Sequence, residues 1–132
     1  MKTELDFSSK IENLSMIEKL IDDMASDYKL NSEVYGNILV ATVEAVNNAI
    51  LHGNRLDENK NVSVKCVIAD NLLTMTVADQ GTGFDFDNIP DPTAPENIEK
   101  PHGRGVFLMR HLVDQLEFRN NGSIVELRFN LS

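Results

Sequence analysis

Three polar side chains within one apolar segment are the first candidates for chemistry. The segment VEAVNNAILHG, residues 43–53, carries Glu44, Asn47 and Asn48 among residues that are otherwise mostly apolar. Glu44 and Asn48 are four residues apart, so they share one face of a helix, with Asn47 beside them. A helix that is apolar on most sides is largely buried, and buried carboxylates and amides need partners. A ligand that carries a cation would supply those partners, whereas an ordinary solvated helix face is the alternative.

A second candidate is the segment DQGTG, residues 79–83, which directly follows a predicted strand. The alternation of that strand places the Asp79 carboxylate on the side of the sheet that the helices should cover. There it could accept a hydrogen bond from a buried amine. Gly81 and Gly83 would let the backbone turn sharply and approach a ligand closely. A plain strand end followed by a turn is the other interpretation, because Asp and Gly are common turn residues.

The third candidate is a pair of glycines around an arginine at the start of a predicted helix. Gly103, Arg104 and Gly105 precede the segment VFLMRHLVD and follow a stretch, residues 85–102, that contains all four prolines of the chain. The free N–H groups and the dipole of a helix N-terminus favour phosphate, and Arg104 could add a direct contact. A flexible hinge at the end of the proline-rich stretch is the alternative. A loop of that length is usually functional or disordered.

The helices that must position these groups follow from the apolar spacing. A first helix is predicted from about residue 11 to 24, with Ser9 and Glu12 spaced as a capping box. A longer helix is predicted to begin at Asn31 or Ser32 and to end at Gly53, which would serve as its C′ glycine. The candidate residues Glu44 and Asn48 therefore belong to the second helix.

The strands follow from alternating apolar residues and turn signals. A short strand is predicted at residues 3–7, and two strands at 62–69 and 72–79 are joined at Asp70 and Asn71. Two closing strands, 115–119 and 123–131, meet at Asn121 and Gly122. We expect a single α+β domain over residues 1–132, a two-layer sandwich with an antiparallel-rich mixed sheet and helices on one face.

Composition excludes several classes of function. The 132 residues carry 21 acidic and 12 basic side chains, a formal net charge of −9, so direct nucleic-acid binding is not expected. No apolar run reaches the roughly 18 residues of a membrane span, and the N-terminus has no signal-peptide pattern, so the cytoplasm is the expected compartment. The single cysteine, Cys66, excludes an internal disulfide and a cysteine-based zinc site.

Taken in order along the chain, the three candidate segments resemble the motifs of the GHKL ATPase superfamily, which includes gyrase, Hsp90 and histidine-kinase ATP domains. EAVNNAILHGN is similar to the N box, DQGTGF to the G1 box and GRGVFLM to the G2 box. The pattern E-A-x-x-N-A-x-x-H-G and the compact length resemble, more narrowly, the bacterial anti-sigma-factor serine/threonine kinases. The resemblance covers nearly the whole chain and implies the ATP-binding fold of that superfamily.

The resemblance assigns roles to individual residues. It implies that Glu44 is the general base, that Asn48 holds Mg²⁺ and that Asp79 recognises the adenine amino group of ATP. Gly81 and Gly83 would shape the wall beside the adenine.

The G2 side of the resemblance concerns the triphosphate. Residues 85–102 would form the ATP lid, and Gly103, Arg104 and Gly105 would hold the phosphates, with Val106 next to them. The motif here has two glycines, Gly103 and Gly105. They are followed by Val106 and Phe107, where the family pattern has a third glycine. Ser123 would lie near the nucleotide, and this is the loosest of the matches.

The function that the resemblance implies is a serine/threonine protein kinase that uses ATP and Mg²⁺. Its substrate would be an anti-sigma-factor antagonist, a small domain carrying the target serine. The same protein would hold a sigma factor inactive, often as a homodimer. Two alternatives stay open: a nucleotide-dependent module that switches partners without phosphorylating them, and a related stress-signalling kinase that binds no sigma factor.

Overall fold

Five strands form one sheet in the computed structural model, which describes residues 1–81 and 101–131. The strands are β1 (Lys2–Ser8), β2 (Asn61–Ala69), β3 (Leu72–Ala78), β4 (Gln115–Arg119) and β5 (Ile124–Asn130). Their order in the sheet is β1-β2-β3-β5-β4, and every neighbouring pair is antiparallel. The expected α+β fold is confirmed, but the sheet formed by the described strands is antiparallel throughout and not mixed.

Three α-helices accompany the sheet. They are α1 (Leu14–Asp27), α2 (Ser32–Asn48) and α3 (Pro101–Leu112). A 3₁₀ turn, Ile11–Asn13, leads into α1, and a π-helical turn, Ala49–Gly53, extends α2. The predicted second helix is therefore present, and only its last turn departs from α geometry.

The two helix starts have different outcomes. Asn31 caps α2 as predicted, since its side-chain Oδ1 accepts a 2.8 Å hydrogen bond from the N–H of Val34. The capping box predicted at Ser9 and Glu12 is wrong, because the buried Ser9 hydroxyl donates instead to the carbonyl of Lys60 at 2.7 Å. The 3₁₀ turn before α1 has no side-chain cap.

The core lies between the helices and one face of the sheet. Alternate residues of β2 and β3 point into it, which confirms the predicted strand faces and the burial of Cys66. The buried residues that fill this layer include Ile17, Ile21 and Met24 of α1, Ile38, Ala45 and Val46 of α2, Val62, Val64 and Cys66 of β2, Leu73, Met75 and Val77 of β3, and Val125, Leu127 and Phe129 of β5. Burial raises the pKa of the Cys66 thiol to about 11.

Helix α2 and its π turn are the one segment, among the described residues, long and apolar enough to cross a membrane by length and composition. Its position in the fold accounts for that composition. The segment packs against α1, α3 and the sheet, and Ile38, Ala41 and Val46 are completely buried there. It is the central core helix of a globular domain.

Both predicted hairpins occur, with different turns. Asp70 and Asn71 have φ values of 53° and 61°, as a two-residue type I′ turn requires. The turn between β4 and β5 has four residues, where two were expected, because Arg119 pairs with Ile124. Three residues in that turn, Asn120, Asn121 and Gly122, have positive φ, a conformation that Asn and Gly tolerate best.

Candidate functional site

A cleft opens between α2, α3 and the ends of β3 and β5, and it contains three of the predicted site residues: Asn48, Asp79 and Ser123. The other residues that line it are apolar or glycine: Ala45, Ala49, Val77, Met109, Phe118, Gly122 and Val125. The structure thus brings the amide of the predicted N box and the carboxylate of the predicted G1 box to one mostly apolar cleft.

Asn48, the last residue of α2, is with Thr42 one of two described residues that have a buried side-chain polar atom without a hydrogen-bond partner. Its side chain is only 7% exposed, and its buried Nδ2 donor has no hydrogen-bond partner among the described residues. An unpaired buried donor costs roughly 1–3 kcal/mol, so such groups normally have an acceptor. A ligand rich in acceptor oxygens, such as a phosphate, would supply one from the cleft.

Asp79 directly follows β3, and one backbone and one side-chain hydrogen bond hold it in place. Its N–H donates to the carbonyl of Ser123 at 2.9 Å, and its Oδ1 accepts from the N–H of Gly81 at 2.8 Å. Burial raises the pKa of Asp79, while the Gly81 hydrogen bond and the charge of Lys60 oppose that rise. The carboxylate therefore sits half-buried at the cleft wall with its second oxygen, Oδ2, free of hydrogen bonds to the described residues.

Two glycines give Asp79 the room it occupies. A Cβ atom added to Gly53 would lie 2.3 Å from Oδ2 of Asp79, and one added to Gly81 would lie 1.9 Å from the carbonyl oxygen of Gly53. The prediction of Gly53 as a C′ glycine is wrong, since its φ is not positive. The residue lies inside the π turn, and glycine is required there because any Cβ would overlap the Asp79 carboxylate.

Ser123 contributes to the cleft mainly through its backbone. Its carbonyl accepts from Asp79, and its hydroxyl donates to the carbonyl of Asn120 at 2.8 Å within the turn. The side chain is buried. Ser123 thus lines the cleft, and it supports Asp79 rather than offering a free hydroxyl.

Glu44 does not line the cleft. It lies one helical turn before Asn48 and borders a neighbouring groove with Glu18 of α1 and three apolar residues of α2: Leu39, Val40 and Val43. Burial raises the pKa of Glu44, and no described residue opposes that rise with a hydrogen bond or a charge. The groove is open to solvent, and Val40 is 42% exposed within it.

The predicted phosphate loop is replaced by helix. Helix α3 begins at Pro101, so Gly103, Arg104 and Gly105 lie within its first two turns and not before it. Proline is well suited to the first helical position, because its φ is preset and its missing N–H is not needed there. The helix N-terminus thus lies two residues earlier than the glycines indicated.

The remaining predicted residues have separate outcomes. Val106 is completely buried in the core and does not line the cleft, whereas Met109, less than one turn later, does. Gly83 and lid residues 85–100 lie outside the described residues. Sequence patterns did not identify Met109 and Phe118 as wall residues, although both are apolar residues of predicted elements.

The cleft suits a metal that needs few protein ligands. Within residues 1–81 and 101–131, no group of three or more His, Cys, Asp or Glu side chains could hold a metal ion. Mg²⁺ keeps several waters and is often bound by one or two side chains together with substrate phosphates. The Asn48 amide would supply one oxygen ligand to such a set, and its unpaired Nδ2 could donate to a phosphate.

Comparison with known proteins gives one family. Residues 7–129 match the family model of the histidine kinase-like ATPase domain. An anti-sigma F factor of Clostridium perfringens (strain SM101 / Type A) is 29% identical, covering 96% of this chain and 94% of that protein. Another anti-sigma F factor, from Clostridium acetobutylicum, is 34% identical over 88% of this chain and 82% of its own length.

Two further relatives extend the comparison. The serine-protein kinase RsbW of Bacillus subtilis is 26% identical over 92% of this chain and 79% of its own length. A crystal structure of the RsbU and RsbW domains of a Mycobacterium tuberculosis protein matches 99% of this chain with a TM-score of 0.66. The match covers 32% of that longer protein at 14% identity, which establishes likeness of fold.

Proposed function

The chain belongs to the histidine kinase-like ATPase family, and we propose that it is an ATP-dependent serine/threonine protein kinase and anti-sigma factor. Its substrate is a serine-bearing antagonist of the anti-sigma factor, and its other partner is a sigma factor. The names of the relatives, anti-sigma F factor and serine-protein kinase, support this assignment. The relatives match over nearly the whole chain, so the proposal concerns one catalytic domain.

One observation carries the proposal: the unpaired buried amide of Asn48 and the half-buried carboxylate of Asp79 share one apolar cleft. The two side chains would bind different parts of the nucleotide. Asp79 can accept a hydrogen bond from the adenine amino group, with Gly81 fixing the carboxylate. Asn48 can hold Mg²⁺ and donate to a phosphate, and the apolar wall suits the adenine ring.

Glu44 has the properties of a general base toward a protein substrate. Its pKa is raised by burial, which makes the carboxylate a better proton acceptor. It borders an open groove outside the nucleotide cleft, where the serine of a partner can approach. As the serine oxygen bonds to the γ-phosphorus and ADP leaves, Glu44 takes the hydroxyl proton. Mg²⁺, when bound, neutralises charge on the phosphates.

The G1 and G2 segments complete the proposal. By the family resemblance we assign Gly83 to the adenine side of the site and residues 85–102 to the lid over the nucleotide. We assign Gly103, Arg104 and Gly105, in the first two turns of α3, to the phosphate side of the site, where the dipole at the helix N-terminus favours an anion. Val106 contributes through its backbone, since its side chain belongs to the core. The protein acts in the cytoplasm, as a homodimer.

The test is phosphoryl transfer from labelled ATP, with Mg²⁺, to candidate serine-bearing antagonist domains from the same genome. Glu44→Gln is expected to lower transfer by about 10²-fold or more while ATP affinity is retained. Glu18→Gln is the matched control, since Glu18 borders the same groove from α1 and should leave transfer unchanged. Wild-type protein that binds no adenine nucleotide in calorimetry with Mg²⁺ would refute the proposal.

Two outcomes would favour the alternatives. If wild type and Glu44→Gln both bind ATP and exchange partners equally, and neither transfers phosphate, the protein is a partner-switching module. If the protein phosphorylates an antagonist but captures no sigma factor from its native cell, it is a stress-signalling kinase without an anti-sigma role.

A further inference from the structure

Asn54 is a buried amide at the end of the segment that resembles the N box, and the resemblance assigns it no role. It directly follows the π turn of α2, and its side chain is 1% exposed. Its Oδ1 accepts from the N–H of Gln80 at 2.7 Å. Its Nδ2 donates to the hydroxyl of Ser9 at 2.8 Å and to the carbonyl of Asn61 at 3.0 Å. A fully used buried amide of this kind fixes the segments that it joins.

The two sides of this amide hold different parts of the fold. On the Nδ2 side, Ser9 directly follows β1 and Asn61 begins β2, and the Ser9 hydroxyl donates to the carbonyl of Lys60. On the Oδ1 side, the only segment held is the one that begins immediately after Asp79. The Oδ1 bond reaches the Gln80 backbone directly, whereas the Nδ2 side reaches Gln80 only through Asn61, whose N–H donates to the side-chain Oε1 of Gln80 at 2.5 Å.

The contact with Gln80 sets the backbone conformation of Asp79. Peptide units are planar, so the orientation of an N–H group fixes the plane that carries it. The plane before Asp79 is held by its own N–H bond to the carbonyl of Ser123. The plane after it contains the Gln80 N–H, which Asn54 holds. With both planes held, φ and ψ of Asp79 are restrained, and so is the direction of its Cα–Cβ bond, while the Gly81 N–H holds the carboxylate itself.

We propose that Asn54 is a positioning residue for nucleobase selection, because it fixes the Asp79 backbone through the Gln80 N–H. The inference rests on the proposed function, in which Asp79 accepts a hydrogen bond from the adenine amino group. Guanine carries an oxygen acceptor at the position of that amino group, so a well-placed carboxylate selects ATP against GTP. The ratio of the two affinities therefore reports the placement of Asp79.

The experiment compares three variants by titration calorimetry with ATP and with GTP, in the presence of Mg²⁺. Asn54→Ala removes the Oδ1 acceptor, and we expect ATP affinity and the ATP-to-GTP ratio to fall about tenfold, the equivalent of one hydrogen bond. Asn54→Asp keeps an acceptor for Gln80 and should keep the ratio. Ser9→Ala is the matched control, because it removes a Nδ2 partner and should lower the melting temperature without changing the ratio.

The outcomes separate this inference from the proposed function. A ratio that falls in Asp79→Asn but stays at the wild-type value in Asn54→Ala overturns the inference alone. An equal fall in Ser9→Ala and Asn54→Ala also overturns it, since general loosening would then be the cause. Wild-type protein that binds neither nucleotide overturns the proposed function and this inference together.

A measurement on the wild-type protein keeps the inference testable if Asn54→Ala does not fold. The Gln80 amide should exchange its hydrogen slowly in the nucleotide-free protein, because its acceptor is a buried side chain. Exchange at the rate of an exposed amide would overturn the inference.

Discussion

The contact between Gly53 and Asp79 gives the sharpest prediction about the site. In Gly53→Ala, the new Cβ would lie 2.3 Å from Oδ2 and 2.4 Å from Cγ of Asp79. Since carbon atoms pack at roughly 3.5 Å or more, the carboxylate must move by about 1 Å. That movement changes the group proposed to recognise adenine, so we expect ATP affinity to fall by at least about tenfold.

The same substitution elsewhere in α2 separates the clash from the effect of helix propensity. A Cβ atom added to Gly36 would meet no atom of another segment within 4 Å, so Gly36→Ala should raise the free energy of unfolding by about 1 kcal/mol. Gly53→Ala gains a similar propensity term but adds overpacking, which costs about 1–3 kcal/mol. The difference in stability between the two variants should therefore equal the cost of the clash, about 1–3 kcal/mol.

Urea unfolding of both variants and calorimetric titration with ATP would provide the measurements. Equal stabilisation of Gly53→Ala and Gly36→Ala, with wild-type ATP affinity in both, would refute the claim that Gly53 is a glycine because of Asp79. Reduced ATP affinity in Gly36→Ala would refute the assignment of the loss to the cleft.

Three further predictions concern titration, capping and the buried thiol. Burial raises the pKa of Glu44 above its ordinary 4.5, so ionisation destabilises the fold as pH rises above that value. Glu44→Gln should thus be more stable than wild type at pH about 7, in urea unfolding, and lose that advantage toward pH about 4. Asn31→Ala removes the acceptor for the Val34 N–H and should cost about 1 kcal/mol in the same assay, whereas Asn31→Asp should retain most of it. Cys66 is fully buried with a pKa of about 11, so Ellman's reagent at pH about 8 should label it only as fast as the protein unfolds; rapid labelling of the native protein would contradict this burial.

Features that depend on a local sequence pattern could be predicted from the sequence. Strand alternation identified the buried faces of β2 and β3, and the side-chain chemistry of Asn31 identified the start of α2. Asp70 and Asn71 carried the signature of a type I′ turn. For the candidate site, Asn48 and Asp79 were predicted because polar residues in otherwise apolar rows need partners, and both line the cleft.

Features that depend on contacts between distant segments could not be predicted from the sequence. Gly53 was interpreted as a helix terminator, because the sequence does not indicate that the Asp79 carboxylate packs against it. Ser9 fitted a capping box, but its hydroxyl has a partner 51 residues away. Asn54 ends the segment that resembles the N box, but no local pattern indicates its hydrogen bonds, since its partners Ser9 and Gln80 belong to two other parts of the chain.

The π turn that follows α2 restricts the deletions that this part of the chain can tolerate. The N–H of Asn54 bonds to the carbonyl of Ala49, five residues earlier, so the turn contains one residue more than an α-helical turn. Each residue of an α-helix advances the chain by about 100°. An in-frame deletion of one codon within this turn would restore regular helical phase and rotate Gly53 and Asn54 away from the end of β3. The register of this turn positions the helix that carries Asn48 relative to the strand end that carries Asp79. The number of residues in the turn is therefore constrained as well as their identity.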